Sequence, residues 1–189
     1  MGERKPRLEG KVAIVTGAGT RCDGIGNGKA TAMLFAQEGA KVVLVDVELA
    51  RAEETLTAIE SEGGVASAFQ ADVTSDVQCK ALAEFTEAEY GRLDILDNNV
   101  GNSHRAAVTE IDPADWDSIM ELNVKSMMLT SRHAIPLMKR SGGGSIINIA
   151  SIAGLRASKS TVYTASKAAV IGLTKSMAGD HGRECIRVN

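Results

Sequence analysis

Tyr163 and Lys167 stand four residues apart in Tyr163-Thr-Ala-Ser-Lys167. On a helix, side chains at i and i+4 share one face. A neighbouring ammonium favours the phenolate and lowers a tyrosine pKa. Such a pair suits general acid–base chemistry on a hydroxyl or carbonyl near neutral pH. Alone it is a weak signal, because the same spacing arises by chance on surface helices. A second stretch with chemical potential is Thr16-Gly-Ala-Gly-Thr-Arg-Cys-Asp-Gly-Ile-Gly26. Glycines there let the backbone turn tightly and approach a pyrophosphate, whose charge the first amides of the next helix stabilise. The plainer alternative is a flexible turn. Two other phosphate motifs fail: Ala30 follows Gly28-Lys29, and Asp23 stands five before Gly28, which breaks GxxxxGK[ST]. A GxGxxG run from Gly17 and Gly19 would need glycine where Cys22 stands. Asp46 comes 20 residues after Gly26. A carboxylate there can accept from adenosine ribose hydroxyls and repels a 2′-phosphate, which favours NAD; a helix cap is the competing role. Arg21, a cation in the loop, favours NADP instead.

The elements that must position these residues follow from hydrophobic periodicity. Short apolar runs predict strands over Lys11–Thr16, Lys41–Asp46, Ala66–Gln70, Leu93–Asp97, Ser145–Ala150 and Cys185–Asn189. Longer mixed stretches predict helices over Gly28–Gln37, Leu49–Glu62, Ser75–Tyr90 (with Ser75 as N-cap), Pro113–Lys139 and Val162–Ala178. Strands that are apolar throughout and alternate with helices imply a parallel sheet covered on both faces. The expected architecture is a three-layer, Rossmann-like, doubly wound α/β domain over 1–189, with its ligand site at the carboxyl ends of the strands.

Composition excludes several classes. At 189 residues and 44% hydrophobic, the chain can bury the core of one domain, and it is too apolar for disorder. No run of 18 or more apolar residues occurs, and the polar N-terminus shows no secretory h-region. A net charge of −3 and six scattered aromatics argue against nucleic acid. Cys22, Cys79 and Cys185 are widely spaced and lie far from His104, His133 and His181, so neither a disulfide framework nor zinc is expected. Free thiols without a signal predict a cytoplasmic protein without a membrane partner.

In their order and spacing, the motifs resemble those of the short-chain dehydrogenase/reductases from Gly10 to Asn189. They are Thr16-Gly17 with Gly24-Ile25-Gly26, Asp46, Asp72-Val73, Asn98-Asn-Val-Gly101, Leu122-Asn-Val124, Asn148-Ile-Ala-Ser151, Tyr163 to Lys167 and Arg187-Val-Asn189. The resemblance implies hydride transfer between NAD(P) and a secondary alcohol or ketone, NAD being preferred. It makes Tyr163 the proton donor and acceptor, and Lys167 the residue that lowers its pKa and binds the nicotinamide ribose. Ser151 would hydrogen-bond the reacting oxygen, and Asn123 would hold a water in a relay to the lysine. Asp72 and Val73 would contact adenine, and Asn99, Val100 and Gly101 would flank the adenosine half. Gly17, Gly19, Arg21, Gly24, Ile25 and Gly26 would line the phosphate loop. Ser151 lacks the GxSxG surroundings of a nucleophile. Relatives commonly pair through helices matching Pro113–Lys139 and Val162–Ala178, which predicts a homodimer or homotetramer; Met127, Met128 and Leu129 fit such a face or plain helix–sheet packing.

Three features depart from the family pattern. Six residues separate Gly17 from Gly24, three more than TGxxxGIG allows. Asp97 replaces an apolar strand residue, and Val100 an alanine; a carboxylate in a buried strand needs a partner. The chain also stops at Asn189, before the family's substrate lid and seventh strand. That raises the alternative of a catalytically silent nucleotide-binding chain that associates with full-length relatives.

Overall fold

The computed structural model describes residues 5–21, 24–156 and 158–189, so Cys22 and Asp23 of the long loop lie outside the described residues. The apolar runs form β1 (Val12–Thr16), β2 (Lys41–Asp46), β3 (Val65–Gln70), β4 (Ile95–Asn98), β5 (Gly144–Asn148) and β6 (Ile186–Val188). They build one parallel sheet in the order β3-β2-β1-β4-β5-β6. The helices are α1 (Asn27–Gln37), α2 (Leu49–Ser61), α3 (Asp76–Tyr90), α4 (Pro113–Met120), α5 (Ser126–Arg140) and α6 (Thr161–His181). This is the expected doubly wound α/β fold. The chain winds outward from β1 to β3 and then crosses back to β4, so the direction reverses between β1 and β4. Such a switch point opens a crevice at the carboxyl ends of the strands.

Successive strand residues point to opposite faces, and the core divides accordingly. Ile14, Val43, Val45, Leu96 and Ile146 pack with Leu82 of α3, Leu129 of α5 and Met177 of α6. Val15, Val42 and Leu44 turn the other way, onto Ala32 and Ala36 of α1 and Ala52 and Ile59 of α2. Each fully buried aliphatic side chain stabilises by about 1.5–3 kcal/mol. Asp97 follows Leu96 and pairs in register with Val15, which places it on the second face. It is 1% exposed, and among the described residues neither carboxylate oxygen has a hydrogen-bond partner. The partner that a buried carboxylate requires is thus missing, and burial alone pushes its pKa up to about 7.

Pro113–Lys139 is not the single helix its periodicity suggests. Asp112 Oδ1 accepts from the Ala114 amide at 2.8 Å, and Pro113 opens the first turn, where its missing N–H costs nothing. After Met120 one π-turn, Glu121–Lys125, intervenes before α5 begins. The extra residue rotates the face that α5 presents relative to that of α4, and such turns recur at functional sites. Asn123 lies within it. On α5, Met127 is buried and Leu129 joins the first core, whereas Met128 is exposed. Ser75 occupies the N-cap of α3 as expected, but its side chain makes no capping bond. Cys79 is buried and Cys185 exposed, both as free thiols. Among the described residues no His/Cys/Asp/Glu group could hold a metal, and no helix is long and apolar enough to cross a membrane.

Candidate active site

A cavity of about 270 Å³ opens at the switch point, lined by the Gly-rich loop, the start of α1 and the ends of β2, β3 and β4. Its lining contains Gly17, Gly19, Arg21, Gly26, Asp46, Asp72, Val73, Asn99, Val100 and Gly101, ten of the residues the sequence assigns to a cofactor. Gly24 and Ile25 are not among them, and Ile25 is exposed. Thr20, Gly28 and Leu122 also line it; Thr20 lies in the Gly-rich stretch and Leu122 in Leu122-Asn-Val124, but neither was singled out.

Local chemistry explains the shape. Gly26 caps α1 without a side chain, and the first turn of α1 carries no acidic residue. The first amides of a helix have no acceptor within it. They face the cleft with the positive end of the helix dipole, which is where a pyrophosphate binds. A Cβ on Gly28 would collide with Gly17 O, and one on Gly19 with Arg51 Cβ. The loop therefore packs against α1 and α2 more closely than any side chain permits. Asn99 Nδ2 donates to Thr16 O and Gly17 O, each at 3.3 Å, clamping the loop to β4. Thr16 Oγ1 accepts from the Asn99 amide and donates to Asp97 O. Asp46 Oδ2 accepts from the Gly19 amide and Oδ1 from the Glu48 amide, both at 3.1 Å. Asp46 is thus both the expected strand-end acid and a structural turn acceptor, with lone pairs to spare. Asp72 Oδ1 similarly receives the Thr74 amide and hydroxyl.

A second cavity of about 980 Å³ lies beside the first, between the segment after β4 and the segment leading into α6. Tyr163 forms part of its wall. Lys167 is 3% exposed and donates from Nζ to Ile149 O at 2.7 Å; Nζ lies 5.8 Å from the Tyr163 ring centre. Burial disfavours its ammonium and pushes its pKa down. Asn123, fully buried, donates to Asn102 O at 2.9 Å and Ser166 Oγ at 3.0 Å, and accepts from the Asn102 amide at 2.8 Å. Both its donors are occupied, which ties the segment after β4 to α6. A Cβ at Gly101 would sit 3.2 Å from both Asn123 Oδ1 and Lys167 Nζ, so the segment after β4, the π-turn and α6 converge on one spot. Ser151 Oγ accepts from the Ala153 amide at 3.1 Å, capping the short turn Ile152–Gly154, and keeps its own proton to donate.

Beneath the site runs a buried polar chain that sequence reasoning missed. Thr130 Oγ1 donates to Asn98 Oδ1 at 2.6 Å, Asn98 Nδ2 to Asn148 Oδ1 at 2.9 Å, and Asn148 Nδ2 to Thr174 Oγ1 at 3.0 Å. It fixes the ends of β4 and β5 against α5 and α6. The two asparagines lay within quoted motifs, but nothing local announced their pairing.

The comparisons agree with this geometry. A family model described as short chain dehydrogenase matches residues 11–189. An uncharacterized oxidoreductase of Thermotoga maritima is 41% identical over 183 residues, covering 96% of this chain and 70% of that protein. The 3-oxoacyl-[acyl-carrier-protein] reductase of the same organism is 37% identical over 184 residues, covering 97% and 73%. Among solved structures, a 7α-hydroxysteroid dehydrogenase complexed with NADH and 7-oxo glycochenodeoxycholic acid superposes with a TM-score of 0.91. It is 38% identical, and the match covers 100% of this chain and 72% of that one. With sheet, cleft and motifs in agreement over this span, the chain belongs to the short-chain dehydrogenases, NAD(P)-dependent oxidoreductases acting on CH–OH groups.

Proposed function

We propose that this chain moves a hydride between a nicotinamide dinucleotide and a secondary alcohol or ketone, with Tyr163 as the general acid and base. The observation that carries this reading is Tyr163 on a cavity wall, one helical turn from a buried lysine that has no carboxylate partner among the described residues. From that wall Tyr163 can take a proton from an alcohol or return it to an alkoxide. Bound in the neighbouring cleft, the dinucleotide would supply the hydride donor or acceptor. Ser151 donates its free proton to the substrate oxygen and stabilises charge as it develops there. Asn123 holds Asn102 and α6 in place, with one lone pair of Oδ1 left for a water. Ile149 O orients Lys167.

The cleft suits the dinucleotide, with the bare start of α1 for phosphates and Asp46 for ribose hydroxyls. We assign NAD as the preferred form, because Asp46, fixed at the cleft by two amides, presents a carboxylate that accepts from ribose hydroxyls and repels a 2′-phosphate. Replacing Asp46 by alanine is expected to cut the ratio of NAD to NADP efficiency about tenfold or more, one lost charge-assisted hydrogen bond costing about 1.5–3 kcal/mol. An unchanged ratio of kcat/KM would remove the basis for choosing NAD.

The direct test is NADH oxidation by the 189-residue chain across a panel of ketones. Turnover of at least one is expected. Saturable NADH binding without turnover anywhere on a broad panel would instead favour a silent nucleotide-binding chain.

A further inference from the structure

We propose that the cavity beside Tyr163 selects substrates that carry an anionic group some distance from the reacting alcohol or ketone, held by Arg105 and Lys159. This rests on the reading of that cavity as the substrate site. Both cations line it, together with Tyr163. They arrive on two segments that are joined directly. The Thr161 amide donates to Ala106 O at 3.2 Å, and Ser160 Oγ donates to His104 O. Arg105 therefore sits between the two acceptors, and Lys159 immediately precedes the two donors. Fixing the segments at these points brings one cation from each to the same mouth.

Neither cation has an ion-pair or hydrogen-bond partner among the described residues, although nearby His104 has Asp115 within 3.7 Å. Glu110 is the single acidic residue in the lining, and its Oε2 already accepts from the Ala107 amide at 3.3 Å. The first turn of α6 carries no acid. The remaining wall includes Ala106, Ala107, Val108 and Ala153. A cavity that combines a reactive phenol, apolar wall and two cations without partners fits an amphiphilic anion. Such a molecule lays its hydrocarbon on the apolar wall and its carboxylate against the guanidinium and ammonium. These cations do not serve the dinucleotide. The two cavities share no lining residue, and the cation of the cofactor cleft is Arg21. The excess positive charge also steers anions toward the mouth.

The test compares 6-oxoheptanoate with its methyl ester, a ketone of the same carbon skeleton whose carboxylate is neutralised by one added methyl. With NADH, wild-type kcat/KM is expected to favour the acid about tenfold, the scale of one charge-assisted contact, through KM rather than kcat. The Arg105→Gln/Lys159→Gln double variant is expected to bring that ratio near one, as is about 0.5 M salt. Binding is read separately by calorimetry on the NADH-loaded Tyr163→Phe chain, where the same preference is expected without turnover. A wild-type ratio near one, a ratio unmoved in the double variant, or no binding of either ketone would overturn the proposal. If Tyr163→Phe turned over like wild type while the charge preference persisted, the catalytic reading would fall and the anion site would stand.

Discussion

Tyr163→Phe is expected to abolish carbonyl-dependent NADH oxidation, lowering kcat by about 10²–10⁴-fold, while leaving the fold and NADH binding intact. Proton transfer by a positioned side chain contributes a factor of that order. The separation of effects follows from the surroundings of the phenol. Among the described residues no hydrogen bond reaches the Tyr163 hydroxyl, so its removal leaves no buried group without a partner. The ring that packs the start of α6 is retained. Surface changes of this kind alter stability by about 0.5 kcal/mol or less. The measurement is paired: steady-state turnover, and urea unfolding followed by circular dichroism. Equal turnover in the two chains would remove Tyr163 from the mechanism. A large drop in unfolding midpoint would show that the hydroxyl has a structural partner.

Asp97→Val is expected to stabilise the chain, and to do so more as pH rises. Two buried aspartates three residues apart show why. Burial pushes the Asp94 carboxyl up, but hydrogen bonds from Arg92, the Val12 amide and Lys11 more than offset this and hold it below its usual range. Asp97 has the burial without any of the bonds, and its pKa rises to about 7. The unfolded chain holds this group at about 3.9. Between about pH 4 and 7 the folded protein therefore keeps a proton that the unfolded chain releases, and stability falls as pH rises through that window. Above it both states are ionised and the full cost persists. One pKa unit corresponds to about 1.4 kcal/mol, so the difference amounts to about 2–4 kcal/mol at pH 8. Valine suits a buried strand and needs no partner. Urea midpoints measured from about pH 4.5 to 8 should show the variant's advantage grow toward the alkaline end. A gain independent of pH, or a loss at the alkaline end, would mean that Asp97 is paired in solution.

The residues that could be read in advance are those whose chemistry lies in local spacing. Tyr163 and Lys167 needed only a helix of about 3.6 residues per turn. The cleft glycines and Asp46 needed only a strand, a turn and another strand. Apolar alternation was enough for the parallel sheet, and its predicted strand boundaries differ from the observed ones by a residue or two. Other contacts depend on residues far apart in the chain. The Asn123 amide binds residues 21 and 43 positions away, and the Lys167 ammonium finds a carbonyl 18 positions back. No window of sequence displays such pairs. The π-turn at Glu121–Lys125 was equally hidden, because its residues keep the same apolar rhythm as the helices on either side.

The sequence by itself determined the family, the fold and the reaction type, since each rests on residue types at short, fixed intervals. It also marked Asp97 as a residue needing a partner. Only the tertiary structure decided that Asp97 finds no partner among the described residues, and that Arg105 and Lys159 line one cavity. The physical reason is the same in each case. Burial and charge pairing depend on which segments pack together, and packing joins segments whose sequence separation carries no signal.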